Sequence, residues 1–174
     1  MSSEHTKGRV AMLWFLLSAA LVAVDQLVKF LVRANIPPYS SIPFIPHVMD
    51  LTYVQNTGAA FSLLSGHTWV LTAISAVASV VLAIALARNV LKSRGGSALL
   101  AVILAGAVGN LIDRAAFGFV TDMFQTTFVD FAVFNVADIC LTCGCAALCV
   151  YILFFYGRED KAKEGPHDAP DADG

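Results

Sequence analysis

Long apolar stretches alternate with short polar segments along this chain. The apolar stretches lie at 10–32, 69–87, 97–115 and 136–156. A helix needs roughly 20 apolar residues to cross the hydrocarbon part of a bilayer, and each stretch is close to that length. The pattern predicts four membrane-spanning helices in one domain at 1–156, followed by a polar tail at 157–174 that we expect to be disordered.

Two connections, 33–66 and 116–135, emerge on the same side of a four-span bundle. Prolines at 37, 38, 43 and 46 keep the first part of 33–66 from forming a helix. Residues 51–54 are rich in β-forming side chains, and a turn signal follows at 55–58. We therefore predict an all-α membrane bundle of four transmembrane helices with a small extracytoplasmic β-sheet, and we treat 116–135 as an outer loop.

Composition places the chain among integral membrane proteins. Hydrophobic residues make up 57% and charged residues 14% of its 174 residues, with a mean hydropathy of +0.72. Soluble domains have roughly 45–50% apolar and about 25% charged residues. Eight of the eleven Lys and Arg fall on one side of the four-span arrangement, namely Lys7, Arg9, Arg88, Lys92, Arg94, Arg158, Lys161 and Lys163. Basic residues favour the cytoplasmic side, so we expect both termini there.

Polar and ionisable residues near the predicted spans gather towards the opposite, outer ends. Charges within apolar helices are costly, so their convergence at one end of a bundle indicates a functional site. The spans contribute Asp25, Lys29, Asn110, Asp113, Arg114, Asn135 and Asp138, and the outer connections contribute Asn56 and Asp122.

Each of these residues also has a structural interpretation. Asn135 and Asp138 have the spacing of a helix cap with its reciprocal partner. Asp25 and Lys29, four residues apart, can neutralise each other on one helix face. Asp113 and Arg114 could form an ion pair between sequence neighbours, and Asn56 could be a turn residue. Asp122 and Asp130 could be solvated surface acids.

The two carboxylates Asp122 and Asp138 suggest a specific chemistry. Two neighbouring carboxylates do not both ionise easily, so one of them keeps a proton near neutral pH. One member of such a pair can activate a water molecule while the other protonates a leaving amine. This is the chemistry of an aspartic peptidase, and it needs no cofactor.

Other catalytic and metal sites have little support in the sequence. The four histidines lack paired ligand spacing, so we predict no metal site. Four cysteines crowd the last apolar stretch, at Cys140, Cys143, Cys145 and Cys149, and we interpret them as small side chains in a helix interface. We expect no nucleic-acid partner, contact with membrane lipid, and a monomer.

Five short motifs, in order along the chain, resemble those of lipoprotein signal peptidase, also called signal peptidase II, a bacterial inner-membrane aspartic peptidase. They are DQLVK at 25–29, NTGAAF at 56–61, GNLIDR at 109–114, GFVTD at 118–122 and FNVAD at 134–138. The resemblance implies a multi-pass protein that cleaves diacylglyceryl-modified prolipoproteins just before the lipidated cysteine.

The resemblance also implies roles for individual residues. Asp122 and Asp138 match the family's catalytic pair. The supporting positions are Asp25, Lys29, Asn56, Gly58, Asn110, Asp113, Arg114, Asn135 and Ala137. Met123 departs from the family pattern, in which an aromatic residue commonly follows the first catalytic Asp. Asp130 is a second candidate acid, but Asp122 fits the spacing from the preceding motif.

A small transporter that uses intramembrane Asp and Lys residues is the alternative from another functional class. It predicts polar residues at the middle of the membrane and on more than one helix face. The observed gathering at one end favours the peptidase.

The predicted topology can be tested by cysteine labelling in a variant whose four native cysteines are replaced by Ala. Asp50→Cys should react with a membrane-impermeant maleimide on intact cells, whereas Lys92→Cys should react only after lysis. Reaction of both positions from the same side would rule out the four-span arrangement.

Overall fold

The computed structural model describes residues 2–58 and 68–155. It contains four helices that are long and apolar enough to cross a membrane and one three-stranded antiparallel sheet, as the sequence predicts. The elements in chain order are α1 (Ser2–Asn35), β1 (Ser41–Ile45), β2 (Met49–Asn56), α2 (Thr68–Ala87), α3 (Arg94–Phe117), β3 (Val120–Thr126) and α4 (Val136–Phe154). The tail at 157–174 and part of the first outer connection lie outside the described residues.

Helix α3 is the centre of the bundle and packs against α1, α2 and α4. Its sequence begins and ends with clear signals. The Ser93 hydroxyl accepts a hydrogen bond from the Gly96 amide at 2.9 Å, and Gly118 adopts a left-handed conformation with φ 77° just past the end. Glycine is favoured at that position because it lacks a Cβ atom.

The outer surfaces of the other three helices are apolar. Leu16 on α1, Val77 on α2 and Leu153 on α4 are 58%, 65% and 77% exposed. Exposed side chains of this kind along whole helices are typical of a lipid-facing surface. The arrangement therefore places α3 inside and turns the remaining helices towards lipid.

The sheet packs against the C-terminal end of α1. Its strand order is β1-β2-β3, and Tyr53 of β2 and Met123 of β3 form a buried cluster with Val32 of α1 and with Ile36, which follows directly after α1. Met123 is completely buried there. The departure from the family pattern at this position thus places an unbranched, adaptable side chain against the helix.

Strand β3 lies within the segment 116–135, which the sequence pattern predicts as an outer loop. It pairs with β2 from Met49–Thr126 to Asn56–Val120, with an irregularity between Leu51 and Val54. Beyond the strand, the backbone of Phe134 pairs with Phe124, with N···O distances of 2.8 and 3.2 Å. This pairing brings the start of α4 next to β3.

Close contact between α3 and α4 depends on glycine. A Cβ atom on Gly106 would lie 2.5 Å from the carbonyl oxygen of Ala137 and 2.8 Å from Leu141. We expect Gly106→Ala to lower the free energy of unfolding by about 1–3 kcal/mol, because backbone has to move apart. Thermal unfolding in detergent measures this effect.

Gly95→Ala is the matched control, since a Cβ there meets only the Tyr151 ring at 3.8 Å. It should leave the unfolding temperature unchanged or slightly higher. Equal destabilisation by both substitutions would contradict the close packing at Gly106.

Candidate active site

A buried lysine lies at the centre of the polar cluster. The Lys29 side chain is completely buried, and its Nζ lies 2.9 Å from Asp25 Oδ2 and 3.8 Å from Asp113 Oδ2. A buried charge is tolerated only when it is paired and hydrogen-bonded. Asp25 and Asp113 provide that pairing, and both are themselves buried.

Asn110 of α3 connects Lys29 to Asp138 through two hydrogen bonds. Lys29 Nζ donates to Asn110 Oδ1 at 3.0 Å, and an ammonium group is always a donor. The amide nitrogen of Asn110 must therefore point the other way. It donates to Asp138 Oδ1 at 2.8 Å.

Asn135 and Asp138 form a capping box at the start of α4. Asn135 Oδ1 accepts from the Asp138 amide at 2.9 Å, and Asp138 Oδ2 accepts from the Asn135 amide at 3.2 Å. The capping interpretation is therefore correct. It does not exclude a role in the site, because Asn135 Nδ2 also donates to Asp122 Oδ1 at 2.6 Å.

Asp122 projects from β3 and is buried. Its Oδ2 accepts from Asn56 Nδ2 at 2.9 Å, and Asn56 is itself oriented by the Gly58 amide, which donates to Asn56 Oδ1 at 2.9 Å. Burial raises the pKa of Asp122 to about 7, and the neighbouring Asp138 carboxylate adds to the rise. The two amide hydrogen bonds and the Lys29 charge lower this pKa but do not cancel the effect of burial.

Asp25 also fixes the start of α4. Its Oδ1 accepts from the Ala137 amide at 2.9 Å. Ala137 is buried, and a Cβ on Gly109 of α3 would lie 2.6 Å from Asp25 Oδ2 and 3.1 Å from the Ala137 side chain. Larger side chains at either position would push the helices apart.

The two carboxylates Asp122 and Asp138 line one cavity of about 370 Å³. Its lining also includes the polar side chains of Asn56, Asn110 and Arg114, and the rest of its wall is mostly apolar. The apolar part of the lining consists of Val120, Phe131, Ala132, Val133, Phe134, Ile139 and Leu141, and Thr142 and Cys143 also line the cavity. The cavity therefore combines a group of polar side chains around the two carboxylates with a largely apolar lining, part of which comes from α4.

Arg114 does not form the ion pair with Asp113 that sequence adjacency suggests. Its guanidinium turns towards Ser75 Oγ and the Gly58 carbonyl oxygen, at 3.4 and 3.5 Å. Asp113 instead accepts from the Thr121 amide at 2.8 Å. The predicted ion pair between Asp113 and Arg114 is therefore wrong, because neighbouring side chains on a helix point about 100° apart.

Three further residues belong to the cluster and are absent from the sequence-based set. Gln26 donates to Asp25, to the Gly109 carbonyl and to Asp113, at 3.1, 3.0 and 3.3 Å. Arg33 and Thr121 contact each other at 2.9 Å. Gln26 and Thr121 lie inside the quoted motifs, which is the one signal that points to them.

Asp130 occupies a different environment from Asp122. It is exposed in the connection between β3 and α4 and lines an adjoining opening together with Asn56 and Asp122. Its carboxylate therefore lies at the mouth of the site, outside the buried amide cluster.

The cysteines of α4 are not interface residues as a group. Cys143, Cys145 and Cys149 are exposed, and only Cys140 is partly buried. Gly144 takes the interface position, since a Cβ there would lie 2.8 Å from Ile103. Within the described parts of the chain, no three His, Cys, Asp or Glu side chains come together as a set of metal ligands.

Comparison with known proteins identifies the family. A sequence profile described as Signal peptidase (SPase) II matches residues 17–154. The chain belongs to the signal peptidase II family. Two lipoprotein signal peptidases are close relatives: that of Enterococcus faecalis is 43% identical over 90% of this chain and 96% of its own length. That of Clostridioides difficile is 40% identical over 84% and 99%.

Solved structures agree with this membership. One bacterial membrane enzyme superposes with a TM-score of 0.76 at 26% identity, over 90% of this chain and 93% of its own. A second gives 0.74 at 28% identity, over 82% and 93%. The signal peptidase II family and the four apolar helices together make this chain a multi-pass membrane peptidase, which disfavours the transporter alternative.

The raised pKa of Asp122 predicts how stability depends on pH. The folded state binds a proton between the ordinary carboxyl value of 3.8 and about 7, where the unfolded state does not. The contribution of Asp122 to stability is thus complete below the lower value and is lost as pH rises through the higher one. As the pH rises from about 5 to about 8, the unfolding temperature of the wild type should fall relative to that of Asp122→Asn.

Asp130→Asn, which removes an exposed carboxylate, is the matched control and should keep the wild-type pH dependence. Parallel curves for wild type and Asp122→Asn across this range would contradict the raised pKa.

Proposed function

We propose that this protein is an aspartic endopeptidase that removes the signal peptide from diacylglyceryl-modified prolipoproteins, cleaving before the lipidated cysteine, with Asp122 and Asp138 as the catalytic pair. One observation carries the proposal. Two carboxylates from different elements, β3 and α4, line the same cavity and are both hydrogen-bonded by Asn135. The family membership supports the reaction type, and the names of the relatives support the substrate class.

In the proposed reaction, the ionised carboxylate of the pair takes a proton from a water molecule as the water oxygen attacks the scissile carbonyl carbon. The protonated carboxyl group stabilises the oxygen of the tetrahedral intermediate and supplies the proton that the leaving nitrogen needs. The C–N bond then breaks, and the new products are a carboxylate on the signal peptide and an amine on the cysteine. With its pKa near 7, Asp122 is suited to hold the proton that this cycle requires.

The supporting residues act on this pair in two ways. The amide nitrogens of Asn56, Asn110 and Asn135 fix the carboxylate oxygens. Fixed donors of this kind avoid reorganisation during the reaction. Arg114 lines the same cavity. Its buried Nε has no hydrogen-bond partner among the residues that the structure describes, and we assign Arg114 to electrostatic support of the bound substrate.

The apolar wall of the cavity supports a lipidated substrate. Phe131, Val133 and Ile139 line the cavity, and Ile139 belongs to α4, whose outer surface carries exposed apolar side chains. A substrate held in the same membrane can reach such a site by lateral diffusion, and its anchor then restricts where the scissile bond lies.

We place the protein in the bacterial inner membrane as a monomer, with both termini in the cytoplasm and the site at the extracytoplasmic surface. The sheet and the carboxylate pair lie at the same end of the bundle, where α1 and α3 end and α4 begins. The basic residues of the chain concentrate at the other end, which the positive-inside rule assigns to the cytoplasm.

Conservative substitution of the pair is the direct test. Asp122→Asn and Asp138→Asn should each abolish cleavage of a lipidated precursor by the purified protein, because Asn keeps the size of Asp but exchanges no proton. The double variant should be no worse than either single one, since residues of one catalytic unit are strongly non-additive. Asp130→Asn is the matched control and should retain most activity.

Full activity in either variant of the pair, or loss confined to Asp130→Asn, would show that other carboxylates catalyse the reaction. If Asp138 served only as a helix cap, Asn would cost at most about 1–2 kcal/mol of stability and substantial activity would remain.

Removal of the lipid from the substrate is expected to lower its cleavage rate strongly. Each buried CH₂ contributes roughly 0.8 kcal/mol to membrane or pocket binding, so two acyl chains can dominate the recognition of the substrate. Cleavage rates of lipidated and unlipidated forms of one precursor, measured at equal concentration, provide the comparison. Equal rates for the two forms would contradict the role given to the lipid.

A further inference from the structure

Arg33 lies one turn beyond Lys29, near the end of α1, and belongs to none of the motifs above. Its Nη1 donates to Thr121 Oγ1 at 2.9 Å and lies 3.6 Å from Asp113 Oδ1. Its guanidinium carbon lies 4.6 Å from the centre of the Phe117 ring. The side chain is 19% exposed, so the contacts are protected from most of the solvent. Arg33 thus connects α1, the end of α3 and β3.

Thr121, the partner of Arg33, directly precedes Asp122 and is completely buried. Its amide donates to Asp113 Oδ2 at 2.8 Å, while its hydroxyl accepts from Arg33. Both ends of this residue are therefore held, one by an acid on α3 and the other by a base on α1. Successive residues of a strand face opposite sides, so holding Thr121 against the helices directs Asp122 into the cavity.

We infer that Arg33 is a positioning residue for Asp122 and acts through Thr121 and Asp113. The inference depends on the proposed function, since Asp122 must be catalytic for its position to affect turnover. Among the described residues, Arg33 contacts Thr121, Asp113 and Phe117, and none of these three lines the cavity. Its removal should therefore change the geometry of catalysis and leave substrate binding intact.

The arrangement uses properties that are specific to arginine. A planar guanidinium offers several donors in fixed directions and can stack on an aromatic ring at the same time. A lysine ammonium is a compact point charge on a flexible stem, so it can replace the charge near Asp113 but not the whole set of contacts. Arg33→Lys is consequently expected to be intermediate between wild type and a neutral substitution.

The test measures kcat and KM separately for a lipidated precursor with the full-length protein. Arg33→Met removes the donors but keeps an unbranched side chain beside Phe117, and Thr121→Val removes the hydroxyl but keeps the backbone amide. Each should lower kcat by about 10- to 100-fold at unchanged KM, because small displacements of a catalytic group have effects of this size. The double variant should be no slower than the slower single variant, since both changes break one contact.

Thr121→Ser restores a hydroxyl and should return kcat to near the wild-type value. Arg88→Met, at an exposed position at the other end of the bundle, should leave kcat and KM unchanged. Additive effects of Arg33→Met and Thr121→Val, a raised KM at unchanged kcat, or failure of Thr121→Ser to restore kcat would overturn the inference. Full activity of Arg33→Met would also overturn it.

Asp122→Asn, assayed beside these variants, separates the two hypotheses. An inactive Asp122→Asn with a fully active Arg33→Met contradicts only the role of Arg33. An active Asp122→Asn contradicts the proposed catalytic pair itself. Should Arg33→Met fail to fold, Thr121→Val and Thr121→Ser still decide the matter, because they test the same contact from the other side.

Discussion

The burial of one ammonium group is the constraint on which the outer half of this bundle depends. Lys29 is completely buried and needs both Asp25 and Asp113 near it. Each of these acids also holds a backbone amide: Asp25 holds Ala137 at the start of α4 with its other oxygen, and Asp113 holds Thr121 at the start of β3 with Oδ2. These are the two elements that carry Asp138 and Asp122. The lysine therefore fixes the two halves of the site relative to each other without touching either carboxylate of the proposed pair.

The orientation of the amide groups around the pair follows from groups that can only donate. Lys29 Nζ, the Gly58 amide and the Asp138 amide occupy the side-chain oxygens of Asn110, Asn56 and Asn135. Each amide nitrogen must then face a carboxylate. The result is a set of donors that is already in place when charge develops, which is the condition for strong electrostatic stabilisation. These hydrogen bonds also explain how two carboxylates can lie close together in a small, buried site.

Much of this arrangement could be predicted from the sequence, and what could not has a physical cause. The apolar stretches predict the four helices because the length of a span is set by the bilayer, and the helix cap at Asn135 follows from local spacing. Strand β3 was missed because its pairing with β2 is non-local. The partner of Asp113 was missed for the same reason: Thr121 reaches it through a turn at Gly118 that no helical periodicity reveals. Arg33 and the exposed cysteines of α4 show that neighbours in space decide the role of a residue more than its type does.

The central claim is that two carboxylates transfer the protons in peptide cleavage. One of them, with a pKa near 7, holds the proton that the reaction needs. The most direct measurement is the dependence of kcat/KM on pH for a lipidated precursor. The account predicts a bell-shaped profile whose alkaline limb falls with an apparent pKa of about 7, a property of the coupled pair. A rate that keeps rising to about pH 9, as expected for a nucleophile activated by loss of a proton, would contradict it.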